Sequence, residues 1–182
     1  MAARTERTAG SKRPAAFLDR DGVINVDRGY VSNRANFKWI PGAIEAIKAL
    51  NDAGYYVFVA TNQSGIARAL YSEHEMHALH DHIAQKLAES GAHVDDWRHC
   101  PFHPEGKIAA FTRVSDWRKP GPGMILDLLR AWPVDRAKSV LIGDKESDMQ
   151  AAAAAHVRGL RFLGGNLLAF VRARVLGARP RA

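Results

Sequence analysis

With 182 residues, 47% of them hydrophobic and 25% charged, the chain has the size and composition of one soluble domain with a sizeable core. A single cysteine excludes an intrachain disulfide framework and fits a reducing compartment, and no apolar run is long enough to span a bilayer, so a cytoplasmic protein is expected. The net charge of +7 sits in the ends: residues 1–14 carry four basic groups and one acid, residues 172–182 carry four arginines and no acid, and the body between is neutral. Basic tails do not make the folded basic face that a nucleic-acid groove needs, so no nucleic acid is expected as partner.

The expected organisation is a disordered basic tail over 1–13, one domain over 14–176 and a C-terminal tail over 177–182. The N-terminal residues are polar and basic without an apolar centre, which is unlike a secretory signal. "PAAFLD" reads as a buried strand ending at Asp19. "PGAIEAIKALNDAG" reads as a helix begun by Pro41 and stopped by Gly54, with Ala43, Ile44, Ile47 and Leu50 on its apolar face. "YYVFVATN" is a β-branched and aromatic strand reaching Thr61. Ser72 and Glu75 form a capping-box pattern, and the helix after them carries Met76, Leu79, Ile83 and Leu87 on one stripe. Its four histidines read as a solvated polar face. "HVDDWRHC" is a short strand, and "PGMILDLLRAW" a helix with Ile125, Leu128, Leu129 and Trp132 in phase. "KSVLIGD" is a buried strand, "DMQAAAAAH" a helix of high propensity, and "RGLRFL" a last strand.

Strands alternating with helices predict an α/β fold, a Rossmann-like doubly wound parallel sheet between helices. Ligands bind such sheets beyond the carboxyl ends of the strands. Three strands end there in polar groups: Asp19 and Asp21, Thr61 and Asn62, and Asp144. The paired acids with Asp144 would repel one another without a cation, and oxygen ligands of this kind suit Mg²⁺. A carboxylate-held Mg²⁺ with Arg118, Lys119 and Lys145 near it is equipment for phosphoryl transfer. One aspartate can then be the nucleophile and the other the general acid and base, while Thr61 can bond a phosphoryl oxygen.

"FLDRDGVIN", "ATNQSGIARA", "RKPGPGM" and "LIGDKESDMQAA" together resemble the four motifs of the haloacid dehalogenase superfamily of phosphatases. Within it they resemble the heptose 1,7-bisphosphate 7-phosphatases, with the histidinol-phosphatases next; the similarity runs from about residue 15 to about residue 165. The resemblance implies a phosphoric monoester hydrolase acting on a sugar bisphosphate for nucleotide-heptose and lipopolysaccharide synthesis. It implies Asp19 as nucleophile, Asp21 as general acid and base, and Mg²⁺ on Asp19, the carbonyl of Asp21, and Asp144. It assigns Thr61, Asn62, Gln63 and Ser64 to phosphate and substrate binding, and Asp27, Arg28, Gly29 and Tyr30 to a loop touching the sugar. Arg118, Lys119 and Lys145 would neutralise phosphate charge, with Asp148 behind them or at a helix N-terminus. Thr61 follows Asp19 by only 42 residues, and between Thr61 and Lys119 there is room for one helix and one loop, so a capless enzyme is expected; a monomer is the default expectation. A polynucleotide phosphatase and a non-catalytic phospho-acceptor domain stand as alternatives. The neutral body opposes the first; the position of the nucleophile after the first strand opposes the second.

Relatives carry a zinc loop of the form C-P-H-H-P followed by C-x-C before R-K-P. Here Phe102 replaces the first histidine, and Ser115 and Trp117 stand at the C-x-C positions. A structural zinc needs four ligands, so no zinc is expected, and Phe102, Phe111 and Trp117 should pack the loop instead. A rearranged set of His99, Cys100, His103 and Asp116 is the alternative.

Overall fold

The computed structural model describes residues 11–177. The tails expected at 1–13 and 177–182 therefore fall largely outside the described residues. Arg13, assigned to the first tail, is instead part of the fold. Its Nε donates to the Gly54 carbonyl at 2.8 Å, and its guanidinium lies 4.3 Å from the Tyr56 ring centre. Its backbone pairs with residues 133–135. A cation that stacks on an aromatic face and fills a carbonyl's lone pair stays ordered despite its basic surroundings.

The elements follow in the expected alternation: β1 (Ala15–Leu18), α1 (Ala43–Asp52), β2 (Tyr56–Asn62), α2 (Glu73–Glu89), β3 (Asp96–Cys100), α3 (Gly123–Ala131), β4 (Val140–Gly143), α4 (Glu146–Ala154), β5 (Arg158–Arg161) and α5 (Leu167–Val171). All strand pairings are parallel and the order is β3-β2-β1-β4-β5. The connection from β1 leads toward β2, while that from β4 leads toward β5. The switch point of the doubly wound sheet is thus the β1/β4 pair, where a ligand crevice belongs.

Alternation along the strands divides the core into two layers. Ala16, Leu18, Val57, Val59, Val140 and Ile142 face α1, α2 and α5. Ala15, Phe17, Phe58 and Leu141 face α3 and α4. The α2 stripe is buried as its period requires, and its Ser72–Glu75 capping box is formed on both sides. In α1 the buried set is Ala43, Ala46, Ile47 and Leu50, with Ile44 only partly covered. The five-residue α5 packs on α1; it is too short to display a helical period, and the sequence reading passes over it. No helix among the described residues is long and apolar enough to cross a membrane.

Phe58 is wholly buried, with ring centres of Phe17 at 5.3 Å and Trp132 at 5.5 Å. Phe58→Ala should lower unfolding free energy by about 3–5 kcal/mol, the usual result of emptying an aromatic core site, as measured by urea denaturation.

Candidate active site

β1, β2 and β4 all release their chains at the same edge of the sheet, and the polar residues that follow them meet there. Asp19 continues the ladder beyond β1, its N–H donating to the Ile142 carbonyl at 3.0 Å. Asp144 leaves β4 beside it. Gly22 turns the chain back at φ +91°, and a Cβ on it would lie 2.4 Å from the Asp144 carboxyl carbon. Only a glycine lets this backbone approach the carboxylate so closely.

Lys119 enters this acidic pocket from the far end of the long loop after β3. Its Nζ lies 3.0 Å from Asp19 Oδ1 and 2.6 Å from Asp148 Oδ1, and Lys119 is 3% exposed. Asn62, at the end of β2, fixes the lysine's backbone by accepting from its N–H and donating to its carbonyl, both at 3.0 Å. Burial alone would push the Lys119 ammonium down, but Asp19 and Asp148 outweigh it and hold the group above its ordinary value. Asp148 also caps its own helix, accepting from the Lys145 N–H at 3.0 Å. The sequence reading left it behind the site; the fold makes it a direct partner of Lys119.

Asp19, Asp144 and Asp148 each offer an oxygen within 4.8 Å of the others. Burial pushes Asp19 up to about 6, with Lys119 opposing and Asp148 and Asp21 adding to the rise. Asp144 is raised as well, chiefly by burial, and its Oδ1 is buried without a hydrogen-bond donor. Three carboxylates facing one ammonium, with an orphaned oxygen among them, fit a hard divalent cation. This grouping replaces the carboxylate of Asp21 by that of Asp148; the ligand expected from residue 21 is its backbone carbonyl.

The Asp21 carboxylate is turned to other donors. It accepts from Arg20 Nη2 at 2.9 Å, Asn25 Nδ2 at 2.9 Å and Gln63 Nε2 at 3.0 Å. Gln63 also donates to Thr61 Oγ1 at 2.9 Å. The amide expected to meet substrate is thus engaged with two residues of the site. Arg20, Asn25 and Tyr71 are absent from the sequence reading. An arginine between two aspartates reads as a solvent-facing turn residue, yet Arg20 is 0% exposed.

The remaining residues line an open cleft of about 430 Å³, large enough for a small ligand. Asp27, Gly29, Tyr30, Asn62, Ser64, Arg118 and Lys145 border it, whereas Arg28 is exposed and outside the lining. Lys145 reaches across to Asp27 at 2.8 Å, and Asp27 also accepts from the Gly29 N–H. Burial pushes Asp27 up, but these two donors outweigh it and the group lies below its ordinary value. Arg118 is half-buried and borders the cleft beside the anchored Lys119, while its Nη1 is buried without a hydrogen-bond partner.

The side chains of the remodelled loop go to separate partners. His99 Nε2 lies 3.0 Å from Glu73 Oε1, and His103 Nε2 3.2 Å from Arg68 Nη2. Cys100 is buried with Ala60 and Met124, against which Phe102 and Trp117 pack. Phe102 also meets Phe111 at 6.2 Å, and the Arg113 guanidinium covers its ring at 3.7 Å. Of the α2 histidines, His74 and His77 are exposed and His82 is half-buried, but His80 is buried, contrary to the solvated face expected for all four. The edge strand β3 covers that side of α2, and His80 stacks on Trp97 at 4.5 Å. Trp39, Trp97, Trp117 and Trp132 all pack against core or loop groups, as expected.

Residues 116–169 match the HAD-hydrolase-like family model. The chain is 52% identical over 161 residues to the D-glycero-beta-D-manno-heptose-1,7-bisphosphate 7-phosphatase of Rhodopseudomonas palustris, covering 88% of this chain and 89% of the relative. The Escherichia coli K12 protein of the same name is 46% identical, covering 79% of this chain and 75% of its own. Among solved structures, a HAD-like phosphatase from Mesorhizobium loti superposes with a TM-score of 0.78 at 38% identity, over 84% of this chain and 74% of that one. The D,D-heptose 1,7-bisphosphate phosphatase of B. bronchiseptica, solved with magnesium and phosphate, gives 0.74 at 36% identity, over 92% and 88%.

Lys119→Met should remove the cation that stands between Asp19 and Asp148 and leave two buried carboxylates uncompensated. Unfolding free energy in metal-free buffer should fall by about 3–5 kcal/mol, measured by urea denaturation; adding back Mg²⁺ should recover part of that loss.

Proposed function

Because the chain belongs to the D-glycero-beta-D-manno-heptose-1,7-bisphosphate 7-phosphatases of the HAD-like hydrolases, we propose that it removes the 7-phosphate of that sugar bisphosphate through an aspartyl-phosphate on Asp19. The observation that carries this reading is the buried Asp19–Lys119–Asp148 arrangement beside Asp144, at the switch point of the sheet and open to the cleft. The relatives' names specify the β-anomer, and we assign the same preference here.

Asp19 Oδ1 is tied to the Arg20 N–H and to Lys119, which fixes the rotation of the carboxylate and leaves its other oxygen to attack phosphorus. The new Asp19–phosphorus bond forms as the bond from phosphorus to the sugar oxygen breaks. Asp21 gives its carboxyl proton to that departing oxygen, then takes one from the water that hydrolyses the aspartyl-phosphate. Mg²⁺ held by Asp19, the Asp21 carbonyl and Asp144 would neutralise charge on the transferring phosphoryl group. Lys119 supplies a fixed positive charge at the same place. Asn62 and Ser64 border the phosphate side of the cleft, and Thr61, 1% exposed, lies outside that lining with its Oγ1 accepting from Gln63. Arg118, a guanidinium on the cleft wall beside Lys119, is suited to the second phosphate of the substrate. Asp27, Gly29 and Tyr30 stand on the sugar side, and the Lys145–Asp27 pair closes that wall.

We also propose that residues 99–118 hold their shape without zinc, which is supported by the separate engagements of His99 and His103 and by the packing of Cys100, Phe102 and Trp117. The open cleft and the neutral body fit a small diffusible substrate and a cytoplasmic enzyme.

Asp19→Asn should abolish phosphate release while the thermal melting temperature stays within a few degrees of the parent. A panel containing both anomers of the heptose bisphosphate and histidinol phosphate should show the highest kcat/KM for the β-anomer. Dialysis against a chelator should stop turnover and Mg²⁺ should restore it, while elemental analysis of the purified protein should find zinc well below one equivalent. Stoichiometric zinc, or equal turnover of histidinol phosphate, would contradict the respective assignment.

A further inference from the structure

Three side chains donate to the Asp21 carboxylate, and two of them, Arg20 and Gln63, are themselves held from behind. On one side Arg20 Nη2 reaches Oδ2 at 2.9 Å and Oδ1 at 3.2 Å. The same nitrogen donates to the carbonyl of Val31, which closes the loop bearing Asp27, Gly29 and Tyr30. Arg20 Nη1 lies 3.2 Å from His80 Nε2. A guanidinium only donates, so that histidine nitrogen must carry the lone pair and the proton must sit on Nδ1. Burial, with the Arg20 cation and the His99 and His77 rings, holds His80 down to about 2, so it stays neutral. Its ring is clamped on Trp97 at 25° between planes. A neutral acceptor here steers the guanidinium without competing with Asp21 for its charge.

On the other side stands Gln63. The Tyr71 O–H donates to Gln63 Oε1 at 2.6 Å and so anchors the amide from behind, in the orientation that the Asp21 acceptor requires. Nε2 is thereby turned to Asp21 and Thr61. Reversing the amide would put an oxygen against the Asp21 carboxylate. Burial pushes the Tyr71 hydroxyl up to about 12, so it remains a donor at every pH where the enzyme works.

We propose that His80 and Tyr71 are positioning residues for leaving-group protonation: acting through Arg20 and Gln63, they fix the Asp21 carboxyl where it meets the departing sugar oxygen. The inference rests on the assignment of Asp21 as general acid.

A leaving-group comparison tests it. A sugar alkoxide needs a proton to depart, whereas p-nitrophenolate does not, and kcat/KM reports the steps up to formation of the Asp19 ester. The readout is the ratio of kcat/KM for the heptose bisphosphate to that for p-nitrophenyl phosphate. Asp21→Asn should lower this ratio by about 100-fold or more, the range of general acid catalysis. His80→Phe and Tyr71→Phe should each lower it by about 10-fold, as a misplaced acid would. His80→Gln, which keeps an acceptor for Arg20, should return to within about 3-fold of the parent. Tyr71→Phe is near-isosteric and keeps the test valid if His80→Phe proves poorly folded by its melting curve. If both Phe variants lower the two substrates in equal proportion while Asp21→Asn still discriminates, the positioning role is overturned. If Asp21→Asn itself fails to discriminate, the general-acid assignment falls, and the inference with it.

Discussion

One buried ammonium organises the site. Lys119 stands between Asp19 and Asp148, almost without solvent. Unpaired, any of the three would carry a desolvation cost of several kcal/mol. Together they join three parts of the chain that lie far apart in sequence: the end of β1, the loop leading into α3, and the first turn of α4. Asn62 makes the joint rigid by holding the lysine's backbone from the end of β2. The set does not balance, however. Two carboxylates outweigh one ammonium, and Asp144 adds a third with an oxygen left unpaired. The residual negative charge fits a divalent cation, and a phosphoryl group would meet side chains whose charges are already fixed in position.

The two aspartates proposed as nucleophile and proton carrier sit two residues apart but in opposed surroundings. Asp19 is buried beside acids and one lysine, so burial and repulsion dominate it. Asp21 is surrounded by donors: Arg20, Asn25 and Gln63. Such a division of environment suits the separate roles proposed for the two carboxylates. The turn at Gly22 permits it by sending the two side chains to different neighbours while the backbone presses against Asp144.

The segment over residues 99–119 delivers Arg118 and Lys119 and must hold them accurately. Aromatic and cation–π packing does this around Phe102, with Phe111, Trp117 and Arg113 as neighbours. The Gly121 and Gly123 backbones lie against Asp116 so closely that a Cβ on either would fall within 3 Å of it. The turn that precedes α3 is thereby fixed next to the lysine.

Much of this was legible in the residues alone. Hydrophobic period and length gave the alternation of strands and helices, hence the parallel sheet, hence the edge at which Asp19, Thr61 and Asp144 had to gather. Physical chemistry of the acids and the lysine then pointed to a metal-assisted phosphoryl site, and the motifs to its family. Other features depended on who covers whom. His80 lies one helical step from the apolar stripe of α2, and only the placement of the edge strand β3 decides that Trp97 and Arg20 bury it. Asp148 follows Asp144 by a spacing that suits a helix cap as well as a site residue; the loop after β3, folding back over the sheet edge, brings Lys119 to it. Arg13 has the composition of a tail and the contacts of a core-edge residue, because Tyr56 and the Gly54 carbonyl happen to lie beside it. Sequence determined which groups reach the sheet edge, since period and strand order are local and repetitive. Tertiary structure alone decided their partners, since burial and pairing of a charge depend on atoms brought from elsewhere in the chain.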